Sequence, residues 1–292
     1  MNMLFATLNE KYPRYEQPEL LSLTDEQLDK LHAVFLELLS EVDRICRKYR
    51  IEYTLDGGTL LGAIRHKGFI PWDDDADIVF TRNEYRKFYK ACKKELNINE
   101  FFLQEYRTDN AYPWGYAKFR RQGTELIQPG QEHIPFNKGI YIDVFIYDQV
   151  PDGYLTRRIH HAACYCLRKC EYSIVGKLTA KSVFMRWWYS KLDKIPKDLL
   201  FAMLNYLAAK TNKKRGELSS HKTYPYFRDT VKYGMPTSSF DEYMDVAFED
   251  RTYRIIKDYD RYMSLLYGDY MSLPPEKDRK PKLPVVSLKF RD

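Results

Sequence analysis

The strongest constraint in the sequence is an acidic run in front of an apolar stretch, Trp72-Asp73-Asp74-Asp75-Ala76-Asp77-Ile78-Val79-Phe80. Four carboxylates within five residues repel one another unless a cation lies between them. If a strand covers residues 75–80, Asp73, Asp75 and Asp77 project to one face and the side chains between them face the core, because side chains alternate along a strand. Such an edge can hold one or two divalent ions, with a solvated acidic turn as the alternative.

Two further features bracket the acidic run. Upstream, Asp56-Gly57-Gly58-Thr59 ends a short predicted strand and precedes a short helix, so backbone N–H groups can approach a phosphate closely. A tight turn explains the paired glycines equally well. Downstream, Asp143 is the one carboxylate in the apolar segment Tyr141-Ile142-Asp143-Val144-Phe145. A buried aspartate without a partner is costly, so a shared metal ion or a neighbouring loop is expected beside it.

The spacing of apolar residues predicts alternating helices and strands in the first half of the chain. Helices are expected at 24–49, around 60–64 and at 81–96, with capping boxes at Thr24/Gln27 and Thr81/Glu84. Strands are expected at 51–55, 75–80, 101–105, 114–121, 125–128 and 140–147. This alternation favours an α/β or α+β core, a mixed sheet flanked by helices.

The second half is predicted to be helical and then to return to the core. Residues 155–214 have a helical, basic pattern, with breaks near 177–180 and at Pro196, and residues 155–222 carry 15 Lys or Arg against 4 Asp or Glu. A hairpin is expected around Glu249-Asp250, followed by a helix that Gly268 ends. We therefore divide the chain into a catalytic core at 1–150, a basic helical subdomain at 151–230 and a C-terminal part at 231–292 that completes the core.

Composition excludes several classes of protein. Hydrophobic residues make up 44% of the 292 residues, which is globular, and no apolar window approaches the roughly 20 residues of a membrane span. The start lacks the pattern of a signal peptide, and five unevenly placed cysteines do not form a disulfide framework. A reduced, cytoplasmic protein is the prediction. The His160–Cys170 cluster matches no zinc spacing pattern, and whether it binds a metal is left open.

The order of the motifs, Gly-Gly, then Asp-x-Asp, then a lone aspartate, resembles the nucleotidyltransferase superfamily. More specifically, Leu55 to Ile78 is similar to the signature of the LicD family, whose members include bacterial phosphocholine transferases and fukutin-related ribitol-phosphate transferases. The resemblance continues at 139–145, 248–250 and 266–275. It departs from the family at Ile146-Tyr147-Asp148, where Pro-Leu-Asp is usual, and no family pattern is found in 155–222.

The resemblance implies a nucleotidyltransferase-like fold and a metal-dependent transferase. Such an enzyme moves a phosphoryl-alcohol unit from a CDP-activated donor to a sugar hydroxyl of a cell-surface glycan or its lipid-linked precursor, and releases CMP. Asp75, Asp77 and Asp143 match the family's metal-binding triad, which implies Mg2+ or Mn2+, with two ions expected. Asp73 and Asp74 are second candidates, as extra ligands or as the base that orients the acceptor.

A second group of residues is expected to hold the donor phosphates or nucleotide. It consists of Gly57, Gly58, Thr59, Arg65, Lys67, Lys118 and Arg120. Arg65 and Lys67 lie in the loop before the acidic run, where salt bridges to the aspartates are the alternative role. Lys118 and Arg120 share one face of a predicted strand, which could equally be a solvated edge.

Partners and rival functions follow from the same motifs. A peripheral contact with the inner face of the cell membrane is possible through residues 155–222, where cations and aromatic residues occur together. A nucleic-acid partner is not expected, because no recognised motif accompanies the charge. One rival is a nucleotidyltransferase that forms an NMP-conjugate and releases pyrophosphate. The other is a non-catalytic binding module, which the complete set of aspartates opposes.

Overall fold

The acidic run leads into a mixed sheet that helices flank. The computed structural model describes residues 10–13, 15–16, 18–222 and 231–291. Within these ranges the helices are α1 (Asp25–Tyr49), α2 (Gly57–Arg65), α3 (Arg82–Glu95), α4 (Tyr154–Thr179), α5 (Val183–Leu192), α6 (Lys197–Thr211) and α7 (Tyr259–Tyr267). The strands are β1 (Thr54–Leu55), β2 (Asp77–Thr81), β3 (Phe101–Gln104), β4 (Ala117–Arg121), β5 (Glu125–Ile127), β6 (Tyr141–Gln149), β7 (Leu218–His221), β8 (Met235–Pro236), β9 (Tyr243–Phe248), β10 (Arg251–Ile256) and β11 (Ser287–Lys289). This is the predicted mixed α/β class.

Strand β6 is the centre of the main sheet. The strand order is β1-β2-β6-β4-β3, and β7 and β8 extend the sheet from the other end of β6. β2 runs parallel to β6 and places Asp77 opposite Asp143. β4 runs antiparallel on the other side of β6 and places Lys118 opposite Asp143. The sheet therefore sets two carboxylates and one ammonium group in a row across three strands.

Helix α1 shows how the sequence pattern produces the core. Its buried side chains include Leu31, Phe35, Leu38 and Val42, which recur every three or four residues and so form one apolar face. The predicted capping box is present: Thr24 accepts from the N–H of Gln27, and the Gln27 side chain accepts from the N–H of Thr24. The helix packs against β4 and β6, in the middle of the sheet.

Several predicted boundaries were wrong by two or three residues. β2 begins at Asp77 rather than Asp75, because a turn with a bond from the N–H of Asp73 to the carbonyl of Ile70 bends the chain before it. β1 and β4 likewise begin later than expected. The second predicted capping box does not form, since the Thr81 side chain makes no capping bond and Glu84 accepts from the N–H of Glu52 instead.

The second half of the chain has the predicted helices and hairpin. α4 ends at Thr179, and α6 begins directly after Pro196. Glu249 and Asp250 connect β9 to β10, and α7 is followed by Gly268 with a positive φ of 77°. Among the described residues, no helix combines the length and the apolar character that crossing a bilayer requires.

A buried ion pair joins β6 to α3. Asp148 is fully buried, and its carboxylate accepts two bonds from Arg82, at 2.8 and 2.5 Å, and one from Asn212. Burial raises the pKa of Asp148, but attraction and hydrogen bonds from Arg82 outweigh that effect and leave the pKa below its ordinary value. Asp148, the last residue of the segment in which Ile146-Tyr147-Asp148 replaces Pro-Leu-Asp, is thus a structural residue in this fold.

We expect Asp148→Ala to destabilise the fold by about 3–5 kcal/mol, because it leaves the Arg82 guanidinium buried without its carboxylate. The double variant Asp148→Leu with Arg82→Met removes both charges and should regain much of the loss. Urea unfolding at pH 7 measures both. Because the folded pKa is depressed, the difference between wild type and Asp148→Ala should shrink as the pH falls below about 4. A single variant as stable as wild type would contradict this role for the pair.

Candidate active site

The acidic side chains meet at one end of the β2–β6 pair. Asp73, Asp74 and Asp75 each offer a carboxylate oxygen, and these oxygens lie within 4.8 Å of one another. Asp77 and Asp143 face each other across the parallel strands, and like charge from Asp75 and Asp143 acts on Asp77. The predicted residues thus form one electrostatic cluster. Asp73, Asp74 and Asp75 form its loop group, and Asp77 and Asp143 form its strand pair.

Burial and mutual repulsion raise the pKa values of Asp75 and Asp77. Burial together with the charges of Asp74 and Asp143 raises the pKa of Asp75 to about 6. The pKa of Asp77 is raised well above its ordinary value, first by burial and then by the charges of Asp75 and Asp143. A divalent cation would remove this penalty, because it favours the ionised form of every carboxylate around it.

The sequence analysis overlooked Asp56, which adds another carboxylate to the cluster. Asp56 is buried, accepts a 2.7 Å bond from the hydroxyl of Tyr262, and exerts a repulsive charge on Asp77. Burial raises the pKa of Asp56, and the bond from Tyr262 opposes that shift. The only sequence signal was its position directly before the paired glycines.

Lys118 is the cation within the cluster. Its ammonium group lies 2.6 Å from Oδ1 of Asp143 and 3.3 Å from the centre of the Tyr141 ring. Burial lowers the pKa of Lys118 to about 8, although Asp143 acts in the opposite direction. A buried lysine of this kind can donate to an anion that enters beside the carboxylates.

Arg120, on the same face of β4, makes its hydrogen bonds with residues other than the carboxylates. Its guanidinium donates to the side chain of Gln104 and, at 2.5 Å, to the carbonyl of Gly139, and the residue is fully buried. Of the two cations predicted on this strand, Lys118 therefore faces the carboxylates directly. The Arg120 guanidinium also lies 4.7 Å from the centre of the Tyr141 ring.

The paired glycines form a close turn against the aspartates. Gly57 has a positive φ of 51°, and a Cβ there would lie 3.1 Å from Oδ2 of Asp77. A Cβ on Gly58 would lie 2.5 Å from Oδ2 of Asp73, a distance that a side chain cannot occupy. The N-terminus of α2 thus approaches the carboxylates with bare backbone, which is the arrangement that allows a phosphate to reach its N–H groups.

Thr59 makes a contact within the site that the sequence did not predict. Its hydroxyl is buried and accepts a 2.9 Å bond from the N–H of Asp77. Thr59 therefore fixes the first residue of β2 and thereby the Asp77 side chain. It acts on the site by positioning.

Arg65 and Lys67, the two cations before the acidic run, differ in their contacts and exposure. Arg65 donates to the carbonyls of Tyr270 and Ser272, at 2.9 and 3.1 Å, and its charge acts on Asp73. Lys67 is exposed, with a positive φ of 62°, and its carbonyl accepts from the N–H of Glu249. Arg65 thus ties the loop to the C-terminal segment, whereas the side chain of Lys67 lies at the surface.

The C-terminal segment closes one side of the cluster, which the sequence analysis did not foresee. Oδ2 of Asp74 accepts a 2.6 Å bond from the N–H of Leu283, so this carboxylate anchors the segment. The anchor brings the charge of Lys282 to bear on Asp73 and Asp75. Tyr267 lies at the same place, since its hydroxyl would be 3.8 Å from a Cβ on Gly57. Lys282 and Leu283 belong to a polar tail that no motif marked, whereas Tyr267 lies in the stretch 266–275 that resembles the family but for which the sequence predicted no role in the site.

Comparison with known proteins identifies the family of the chain. Residues 50–129 match a family model described as "LicD/FKTN/FKRP, nucleotidyltransferase domain", a range that covers the glycine turn, the acidic run and Lys118. Over 273 residues, 89% of this chain and 96% of the relative, the sequence is 33% identical to a Haemophilus influenzae protein named lipopolysaccharide cholinephosphotransferase LicD. The chain belongs to the LicD family.

Membership confirms the predicted resemblance and the prediction that the chain is an enzyme of the transferase class. A second relative, an uncharacterized protein of Rickettsia prowazekii, is 27% identical over 46% of this chain and 48% of its own length. A third, from Rickettsia typhi, is 48% identical over 42 residues, 14% of each chain. These shorter matches carry no functional information beyond the family.

The charge of Asp77 gives a direct test of the site. Asp77→Asn removes one charge from a buried, repulsive group, so with metal chelated we expect the melting temperature to rise by a few degrees, corresponding to about 1–2 kcal/mol. The effect follows from a folded pKa above the unfolded one, which makes ionisation at pH 7 unfavourable in the native state. Thermal unfolding in EDTA measures it.

The same variant should lose the stabilisation that Mg2+ gives to wild type, because one carboxylate is missing. Asp250→Asn, in the exposed hairpin turn, is the matched control and should change neither result. A wild-type protein whose melting temperature is the same in EDTA and in millimolar Mg2+ or Mn2+ would argue against a metal at this cluster.

Proposed function

We propose that the protein is a metal-dependent transferase that moves phosphocholine, or a related phosphoryl-alcohol, from a CDP-activated donor to a sugar hydroxyl of lipopolysaccharide or its lipid-linked precursor, and releases CMP. The observation that carries this proposal is the glycine turn packed against the facing carboxylates Asp77 and Asp143. The name of the Haemophilus influenzae relative supports the choline headgroup and the lipopolysaccharide acceptor.

The donor set fits a hard divalent cation. The cluster offers only carboxylate oxygens, the ligands that Mg2+ and Mn2+ prefer, and it contains more negative charge than Lys118 compensates. Asp75, Asp77 and Asp143 would hold the metal, with Asp73 as a further candidate ligand because its carboxylate lies within 4.8 Å of that of Asp75. When bound, two such ions would neutralise the diphosphate and stabilise charge that develops on the leaving CMP.

The remaining residues have roles that their positions support. Backbone N–H groups of Gly57 and Gly58, at the start of α2, would bind donor phosphate oxygens. Lys118 would donate to a phosphate oxygen while it keeps Asp143 in place. Asp73 is the better of the two base candidates, because Asp74 already accepts from the backbone of the C-terminal segment. Catalysis of this kind consists mainly of positioning and charge stabilisation.

The proposal places the enzyme in the cytoplasm, at the inner face of the membrane. CDP-activated donors are charged and remain on the side where they are made, so the acceptor must be reached there. The basic segment 155–222 is the region available for a contact with the membrane.

We expect the purified protein, supplied with CDP-choline, an acceptor lipopolysaccharide and Mg2+, to release CMP. Asp75→Ala and Asp77→Ala should each lower the rate at least about a hundredfold, because each removes a ligand of the cation that would stabilise negative charge in the transition state. Asp250→Ala, a substitution of an exposed aspartate, should retain wild-type turnover. Mass spectrometry of the nucleotide product and of the modified glycan measures the reaction.

The product distinguishes the rival functions. Release of pyrophosphate from CTP would identify a nucleotidyltransferase instead. A screen of CDP-ethanolamine, CDP-glycerol and CDP-ribitol in place of CDP-choline tests the headgroup. Wild-type-like turnover by Asp77→Ala in the presence of metal would refute the assignment of the site.

A further inference from the structure

A second site lies at the opposite end of β6 from the carboxylates. A cavity of about 710 Å3 opens between α4, α6 and the segment that follows β6. Its wall is largely apolar, with Val150, Pro151, Ile159, Ala163 and Leu207 among the lining residues. This volume lies in the range of pockets that take a small organic ligand. The proposed transfer reaction makes no use of the cavity.

Cations line one side of the cavity. Lys210, Lys213, Lys214 and Arg215 follow one another around the end of α6. Arg215 is paired with Asp241 at 2.6 Å. Among the described residues, no carboxylate lies within 4 Å of the three lysine ammonium groups. The acidic lining residue, Asp152, accepts a bond from the N–H of Glu217.

Apolar side chains project into solvent next to the cavity. Leu155 and Ile159 on α4 are 67% and 61% exposed, and Tyr206 on α6 is 64% exposed. Of the 17 large apolar side chains exposed in the described part of the chain, ten lie on α4, α5 and α6. Exposed apolar groups at this density mark an interaction surface rather than ordinary solvent-facing helices.

We propose that this cavity binds an anionic lipid of a bilayer, with the phosphate on Lys210, Lys213 and Lys214 and an acyl chain against Ile159, Ala163 and Leu207. Charge complementarity selects a negatively charged headgroup, and the apolar wall selects a hydrocarbon chain. A free sugar or a soluble phosphate would leave the apolar wall unused. Nucleic acid would use the lysines but offer nothing to the cavity.

Vesicle binding tests the proposal without reference to transfer activity, so its failure and the failure of the proposed function are separate results. We expect the full chain to co-sediment with phosphatidylglycerol vesicles and not with phosphatidylcholine vesicles. Lys210→Glu, Lys213→Glu and Lys214→Glu together should weaken the binding at least about tenfold, since each lysine near an anionic surface contributes to it.

The matched control carries the same change of net charge elsewhere. Lys90→Glu, Lys93→Glu and Lys94→Glu alter three exposed lysines of α3 that do not line the cavity. The control should bind vesicles within about threefold of wild type, since local charge dominates within a Debye length. Equal losses in the two triple variants would show non-specific attraction and overturn the site. So would binding to phosphatidylcholine equal to that with phosphatidylglycerol.

A monomeric lipid tests the cavity itself. We expect dihexanoylphosphatidylglycerol, below its micelle concentration, to bind by calorimetry, and inorganic phosphate not to bind. Ala163→Phe fills the cavity and should weaken the monomer at least about tenfold, whereas Ala162→Phe, one residue earlier on the exposed face, should not. Equal affinities in the two variants would contradict the seat for the acyl chain. Binding of single-stranded DNA that the lysine variant loses, without any lipid binding, would assign the surface to nucleic acid instead.

Discussion

The like charges of Asp77 and Asp143, facing each other across two parallel strands, are the constraint on which this structure depends. The register of β2 on β6 fixes the pair, and a slip by one residue would turn one carboxylate into the core. Thr59 ties the first residue of β2 to α2 by accepting from the N–H of Asp77. Negative charge is therefore brought together by the start of α2, the glycine turn and the strands β2 and β6 acting jointly.

Such an arrangement lowers the stability of the fold unless a cation is present. Lys118 compensates part of the charge from the opposite strand, and the Tyr141 ring stabilises the ammonium group in turn. The remaining negative charge is not compensated, which is why the pKa values of Asp75 and Asp77 are raised. Strain of this kind persists at functional sites because the surrounding core supports it. The α1 face and the central strands supply that support.

The sequence predicted most of the elements and the strand residues of the site, because both follow from local periodicity and from spacing. Asp77 could be recognised from its place at the end of the acidic run, and Asp143 as an isolated charge in an apolar strand. Asp56 and Tyr267 lie in stretches that resemble the family, but the sequence predicted no role for them in the site, and Lys282 lies in no such stretch. Their approach to the cluster depends on how α7 and the C-terminal segment fold back. Arg120 and Thr59 show the converse: the residue type suggested a ligand contact, whereas neighbours more than ten residues away in sequence use their polar groups.

The distribution of charge follows the length of β6. Asp143 lies near its start and Val150 directly after its end, so about seven residues, or roughly 23 Å of strand, separate the carboxylates from the basic cavity. The Debye length is about 8 Å at physiological ionic strength, so this separation exceeds two Debye lengths. The lysines of the cavity therefore do not neutralise the aspartates. The separation also sets a geometric requirement. If the cavity holds a bilayer lipid and β6 stands along the membrane normal, only an acceptor whose reactive hydroxyl stands some 20 Å from the membrane surface can reach the carboxylates, which a glycan of several sugar units satisfies and a lipid headgroup does not.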